Sequence, residues 1–141
     1  MDTGTTRNPT IQAAHPANPA GHARPQATPG TTTRLKVVDT SVDIVRDIER
    51  AVRMVRGRHA DLVDQLQRAA ESVVLNLAEG AGRAGRDKSY HYRVVYASAG
   101  EAAAALHLLA AYGLLGAGRV SPLQDRIDQV RAITWRLARS G

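Results

Sequence analysis

From Val38 onward the sequence repeats its apolar residues every three or four positions, and this spacing constrains the fold more than any other feature. Apolar residues at this spacing form one stripe along an α-helix, because a helical turn takes about 3.6 residues. Four such segments follow one another, and no alternating apolar and polar run is left to form a strand. Short connections return each helix beside the preceding one, so the sequence predicts an all-α, antiparallel up-down four-helix bundle over residues 35–141.

The apolar stripes also predict the core. The predicted core residues are Val38, Val42, Val45, Ile48, Val52 and Val55 on helix one; Leu62, Leu66, Ala69, Val73 and Leu77 on helix two; Tyr92, Val95, Ala99, Ala102, Leu106 and Leu109 on helix three; and Leu123, Ile127, Val130, Ile133 or Thr134, and Leu137 on helix four. We expect Gly57 to end helix one and Asp87 or Ser89 to cap helix three. Ser121 and Gln124 have the spacing of a capping box, which predicts the start of helix four.

The stretch GAGRAG, residues 80–85, has the glycine spacing of a dinucleotide-binding loop. Such a loop requires a strand before its first glycine, whereas residues 60–80 form predicted helix two. A phosphate-binding loop requires Lys directly after its last glycine, where this chain has Arg86. We therefore expect these glycines to end helix two and to form a flexible corner before helix three.

The N-terminal segment, residues 1–34, holds five of the six prolines and shows no periodicity, which predicts a disordered tail. The chain has no cysteine, which excludes disulfides and fits a cytoplasmic protein. The longest uncharged run, residues 102–118, is rich in Ala and Gly and contains His107, so we expect no membrane partner. His59 and His91 lie on other segments without a second histidine four residues away, so we expect no metal and no other cofactor.

Polar residues lie on or beside the stripes of helices two and three: Arg68, Ser72, Asn76, Glu79, Ser98 and Glu101. An unpaired buried polar group costs about 1–3 kcal/mol, so we interpret them as a structural cluster. In it, Asn76 and Glu79 tie the end of helix two to helix three or to a neighbouring subunit. The alternative makes Glu79 a general base, but Glu101 is the nearest second group and two carboxylates do not define a reaction. We predict no catalytic residue and no enzyme activity.

The predicted second helix carries motifs of a known family. The stretch QLQRAAESVVLNLAEGAGR, followed by SAGE and AAYGLL, resembles the four-helix-bundle proteins of the 23S ribosomal RNA intervening-sequence family, over residues 38–139. Members of that family are similar to the accessory variability determinants of diversity-generating retroelements, which are basic homopentamers that bind a reverse transcriptase and nucleic acid. The resemblance therefore implies a non-enzymatic homo-oligomer, with five copies as the expected number.

The formal net charge of +6 and a pI near 10.5 favour an acidic partner, of which nucleic acid is the commonest. The corner and the start of predicted helix three carry four cations but only one carboxylate, Asp87, and tyrosines are interleaved with the cations. Arginine and tyrosine together bind phosphates and stack on unpaired bases. The predicted RNA or DNA contacts are Arg83, Arg86, Lys88, Arg93, Tyr90 and Tyr92. Two functions stay open: an accessory factor that binds nucleic acid or a ribonucleoprotein, and a scaffold for an acidic protein, such as a reverse transcriptase, that does not touch nucleic acid.

Overall fold

The computed structural model describes Met1, residues 29–55, Gly57 and residues 59–140. Across these residues the chain forms four α-helices and no strand. The helices are α1 (Pro29–Val52), α2 (Ala60–Ala81), α3 (Gly85–Ala111) and α4 (Ala117–Arg139). Each helix packs against its neighbour in sequence, and α1 also packs against α4, which closes the bundle. The predicted four-helix bundle is confirmed.

The core lies along the stripes predicted for α2 and α3. The largest fully buried side chains on these two helices include six predicted ones: Leu66, Leu77, Tyr92, Val95, Leu106 and Leu109. Val63 is also fully buried although it was not predicted, and the predicted Leu62 is only partly buried. On α4 the sequence left Ile133 and Thr134 as alternatives, and Thr134 is the buried one. Its hydroxyl donates a hydrogen bond to the carbonyl of Val130, which satisfies a polar group that the core would otherwise leave unpaired.

The stripe predicted for helix one is only partly right. Ile48 and Val52 are buried as predicted, but Val42 is 40% exposed. The first half of the helix instead turns Val37, Ser41 and Ile44 toward the core. The prediction failed because apolar residues recur at helical spacing on two sides of α1, and only one side can face the bundle. The other side lies next to α2 and stays partly exposed.

Both ends of α1 differ from the sequence prediction. The helix begins at Pro29, inside the segment predicted as a tail, and residues 2–28 of that segment lie outside the described residues. Proline suits a first helical turn, since its φ is preset and its missing N–H would have no partner there. The helix ends at Val52, before Gly57, and among the described residues of the connection His59 is left-handed, with φ of 57°.

Helices α3 and α4 begin earlier than their predicted caps. α3 starts at Gly85, so neither Asp87 nor Ser89 is its N-cap, and α4 starts at Ala117, which places Ser121 inside the helix. Neither helix has a side-chain hydrogen bond at its N-cap, which is Ala84 for α3 and Gly116 for α4. The first turn of each helix contributes a buried residue to the bundle, which is Lys88 in α3 and Val120 in α4. Burial in the bundle thus extends both helices beyond the local capping signals.

Helix α3 is long and apolar enough to cross a membrane by length and composition alone. In the bundle it is packed between α2 and α4, and 44% of its most apolar window is buried. The core helix of a bundle satisfies the same criterion, because its neighbours cover its apolar sides.

Candidate nucleic-acid interface

Two of the six predicted nucleic-acid contacts are buried. Tyr92 is 1% exposed and Lys88 is 8% exposed. Both lie on the stripe of α3 that continues through Val95, at spacings of four and three residues, and this stripe faces the core. Lys88 and Tyr92 are therefore wrong as surface contacts, whereas Arg86, Tyr90 and Arg93 are exposed on the same helix.

Arg83 is exposed but already has an acidic partner. Its Nε donates to Oε1 of Glu79 at 2.8 Å, and its Nη2 donates to the same oxygen. The hydrogen bond from Arg83 lowers the pKa of Glu79, and the same contact raises the pKa of Arg83. Both side chains are about half exposed, so they form a surface ion pair across the last turn of α2. Glu79 thus pairs with a residue just past the C-terminal end of α2, and the tie from Glu79 to α3 that the sequence suggested is not formed.

The predicted polar cluster is smaller than expected and contains one additional residue. The Oγ atoms of Ser72 and Ser98 lie 2.8 Å apart and join α2 to α3. Nδ2 of Asn76 donates to the carbonyl of Ser72 at 2.9 Å, and its Oδ1 lies 3.0 Å from Nδ1 of His91. The other three predicted members, Arg68, Glu79 and Glu101, are exposed and lie outside this network. His91 was detectable from the sequence, because it precedes Ser98 by seven residues and so shares its side of α3.

Gly80, the first glycine of the corner, lies where α2 packs closely against α3. A Cβ atom at this position would lie 2.9 Å from Cε1 of Tyr92 and 3.1 Å from Cβ of His91. Atoms at such distances overlap, so a side chain here would push α3 away from α2. The glycine permits close packing of two helices and has no part in a nucleotide-binding loop.

Gly80→Ala is expected to destabilise the fold by about 1–3 kcal/mol through overpacking, although alanine favours helix. Gly100→Ala is the matched control, because it lies inside α3 and its Cβ would meet nothing closer than Arg131, at 4.0 Å. It is expected to stabilise the protein by about 0.5–1 kcal/mol. Urea unfolding of both variants provides the measurement, and a gain of stability in Gly80→Ala would contradict the close packing.

A second surface, between α3 and α4, brings aromatic and arginine side chains together. The rings of Tyr96 and Trp135 lie 5.5 Å apart between centroids. The guanidinium of Arg131 lies over the Tyr96 ring at 4.6 Å, and that of Arg139 lies over the Trp135 ring at 5.5 Å. Arg131 is also 3.5 Å from a carboxylate oxygen of Asp128. The result is a row across two helices in which two adjacent rings lie between two cations.

This row is accessible and positively charged. Trp135 is 50% exposed, and Nε of Arg131 is buried without a hydrogen-bond partner among the described residues. A hydrogen bond of 2.9 Å from Ser89 Oγ to the carbonyl of Ala138 holds the start of α3 against the end of α4. On α3, Arg86, Ser89, Arg93 and Tyr96 follow one another at spacings of three, four and three residues, so we infer that the two exposed arginines lie on the side of the helix that faces α4. We call this surface the α3/α4 face, and its members are Arg86, Arg93, Tyr96, Arg131, Trp135 and Arg139.

The α3/α4 face can bind both parts of a nucleotide. A half-exposed indole offers a flat surface on which an unpaired base stacks, and arginines neutralise the adjacent phosphates. Three residues of this face, Arg131, Trp135 and Arg139, were not predicted from the sequence, because they lie on another helix, more than thirty residues from Arg93. Within the described part of the chain, no group of three His, Cys, Asp or Glu side chains is placed to hold a metal ion.

Comparison with known protein families identifies the family of the chain. A family model described as 23S rRNA-intervening sequence protein matches residues 33–136, which is most of the chain. The resemblance that the sequence motifs indicated is thereby confirmed. This family is not known as an enzyme family. No curated protein matches the chain.

Proposed function

The chain belongs to the 23S rRNA-intervening sequence protein family, and we propose that it is a non-enzymatic accessory factor that binds single-stranded nucleic acid on the α3/α4 face. The observation that carries the proposal is the half-exposed Trp135 ring, which lies between the guanidinium of Arg139 and the ring of Tyr96. Stacking on an aromatic ring tolerates any base sequence, because every base has a flat π face. The net charge of +6 supports the proposal, since it attracts a polyanion.

The position of the cations favours this face over the corner. At the corner, Glu79 neutralises Arg83, and Lys88 is buried. The two remaining corner arginines, Arg86 and Arg93, belong to the α3/α4 face, where they continue the row of cations toward Arg139. A single strand that follows this row meets phosphate-binding groups on both sides of the stacked base.

We also propose that the protein is a homo-oligomer, with five copies as the number that the family resemblance implies. The support is an open groove of about 270 Å³ between α1 and α2, which is lined by Val42, Val45, Val74 and Leu75 together with one charged residue, Glu71. Leu75 is 69% exposed there. Contiguous exposed apolar surface of this kind is typical of protein–protein contacts. A cyclic assembly would repeat the α3/α4 face around a ring and multiply its charge.

Replacing Leu75 with glutamine is expected to dissociate the assembly while the bundle stays folded, because Leu75 is mostly outside the core. Met54→Gln is the matched control, since Met54 is 89% exposed in the connection between α1 and α2. Sedimentation of the wild type and both variants, with circular dichroism, measures assembly and folding separately. A wild-type protein that sediments as a monomer of 15.1 kDa at every concentration would contradict the oligomer.

Salt titration of RNA binding tests the proposed nucleic-acid site. For a single strand, log K is expected to fall against log salt with a slope of about 0.7 per neutralised phosphate. The double variant Arg93→Gln/Arg139→Gln is expected to flatten this slope, because it removes two cations of the α3/α4 face. Arg53→Gln/Arg68→Gln carries the same change of charge on exposed positions of the α1 end and α2, and it should keep the slope.

Two results would contradict the proposal. Equal flattening by both double variants would show that binding depends on total charge and not on this face. If the wild type binds neither RNA nor DNA at low salt, the nucleic-acid site is wrong, and the scaffold for an acidic protein takes its place.

A further inference from the structure

A cavity of about 380 Å³ opens between the C-terminal half of α1 and the N-terminal half of α4. Three arginines line it, Arg50, Arg119 and Arg126, together with a single carboxylate, Asp47. We call these four residues the arginine pocket. The pocket shares no residue with the α3/α4 face, and the proposed nucleic-acid site leaves its charge unused.

Asp47 holds two of the arginines in place. Its Oδ2 accepts a hydrogen bond from Nη1 of Arg126 at 2.6 Å, and its Oδ1 accepts one from Nη1 of Arg50 at 3.1 Å. The hydrogen bond from Arg126 lowers the pKa of Asp47, so this carboxylate is ionised at neutral pH. One carboxylate therefore brings two guanidinium groups together at the cavity, and each keeps further N–H donors that a ligand can accept.

The third arginine has no such partner. Arg119 is exposed in the first turn of α4 and forms no ion pair with any described residue. A cation in the first helical turn is unfavourable for the helix itself, because the N-terminal end of a helix carries partial positive charge. Three guanidinium groups against one carboxylate leave the pocket with an excess of positive charge, and Arg119 adds to that excess without stabilising the fold.

We propose that the arginine pocket binds a phosphate group. Guanidinium groups present paired N–H donors that match phosphate oxygens, and arginine is the preferred side chain for this recognition. The apolar part of the cavity, formed by Ala51, Pro122 and Leu123, covers the organic part of a phosphate ester. The cavity has the size of a small-ligand site, for which roughly 300–1,000 Å³ is usual. The phosphate belongs either to a small phosphate ester or to a nucleic-acid strand.

Calorimetric titration with pyrophosphate tests the pocket in the full-length protein. Wild-type protein is expected to bind pyrophosphate, and Arg119→Ala is expected to weaken binding by about tenfold or more, the usual effect of one charge-assisted hydrogen bond. Arg119→Ala should keep the melting temperature or raise it slightly, because the side chain is exposed and unpaired and its charge lies at the positive end of the helix. Arg136→Ala is the matched control, since Arg136 is exposed in the last turns of the same helix.

The proposal is overturned by three results. These are no pyrophosphate binding by the wild type, an equal loss in Arg136→Ala, and equally tight binding of the dicarboxylate succinate, which would show a general anion site. Competition with a 5′-phosphorylated single-stranded RNA identifies the source of the phosphate. Displacement of pyrophosphate assigns the pocket to a nucleic-acid phosphate, and retention assigns it to a small phosphate ester. Pyrophosphate binding does not require the α3/α4 face, so failure of RNA binding leaves this test intact.

Discussion

Tyr92→Ala is expected to lower the free energy of unfolding by about 3–5 kcal/mol, as large aromatic truncations in a core do. Tyr92 is 1% exposed, and its ring fills the space that Gly80 leaves between α2 and α3. Alanine would leave a cavity at this contact, because the absence of a side chain at Gly80 gives the helices nothing with which to refill it. Chemical denaturation followed by far-UV circular dichroism gives the measurement.

Tyr90→Ala serves as the control for this prediction. Tyr90 lies two residues away on the same helix and is 63% exposed, with only an edge contact to the ring of His91. Its removal is expected to change stability by about 0.5 kcal/mol or less. If Tyr92→Ala unfolded at the same denaturant concentration as Tyr90→Ala, Tyr92 would not belong to the core, and its role as a nucleic-acid contact would have to be reconsidered.

Trp135→Ala is expected to weaken the binding of single-stranded RNA by about five- to 150-fold, since one stacked base contributes about 1–3 kcal/mol. The loss should be the same at every salt concentration, because the substitution removes no charge. Trp135→Tyr should recover part of the affinity, because it keeps a flat ring between Tyr96 and Arg139. Fluorescence anisotropy of a labelled oligonucleotide measures all three affinities.

Tyr112→Ala is the matched control for the loss of an exposed ring. Tyr112 is 54% exposed and stacks on His59 at the C-terminal end of α3, whereas the α3 residues of the α3/α4 face lie in the N-terminal half of that helix. Its removal should leave RNA affinity unchanged. An equal loss in Tyr112→Ala and Trp135→Ala would contradict a localised stacking site.

The fold was predictable where the apolar residues of a helix occupy one side. This is so for α2 and α3, whose predicted stripes include Leu66 and Leu106, both fully buried. The prediction of buried residues failed for the first half of α1, because apolar residues recur at helical spacing on two sides of that helix. Spacing alone does not show that Ile44 is buried and Val42 is exposed. The neighbouring helices decide that choice by what they cover, which is a tertiary effect.

The functional site was harder to predict than the fold. The sequence gives Tyr92 two roles, on the core stripe of helix three and among the corner contacts, and the structure supports the core. Tyr92 is buried because transfer of a large ring from water into the packed interior is favourable. Tyr90 does not lie on the apolar stripe, and it is exposed. No local spacing predicts that Tyr96 meets Trp135, because the pairing depends on how α3 lies against α4.

Trp135 also provides the most direct test of the proposed function, because it is the only tryptophan in the chain. Its emission therefore reports on the α3/α4 face in the unmodified protein. Titration with an unlabelled single-stranded RNA at low salt is expected to quench this emission to saturation, with the same Kd that anisotropy gives for binding. RNA binding that leaves the emission of Trp135 unchanged would contradict stacking on this face.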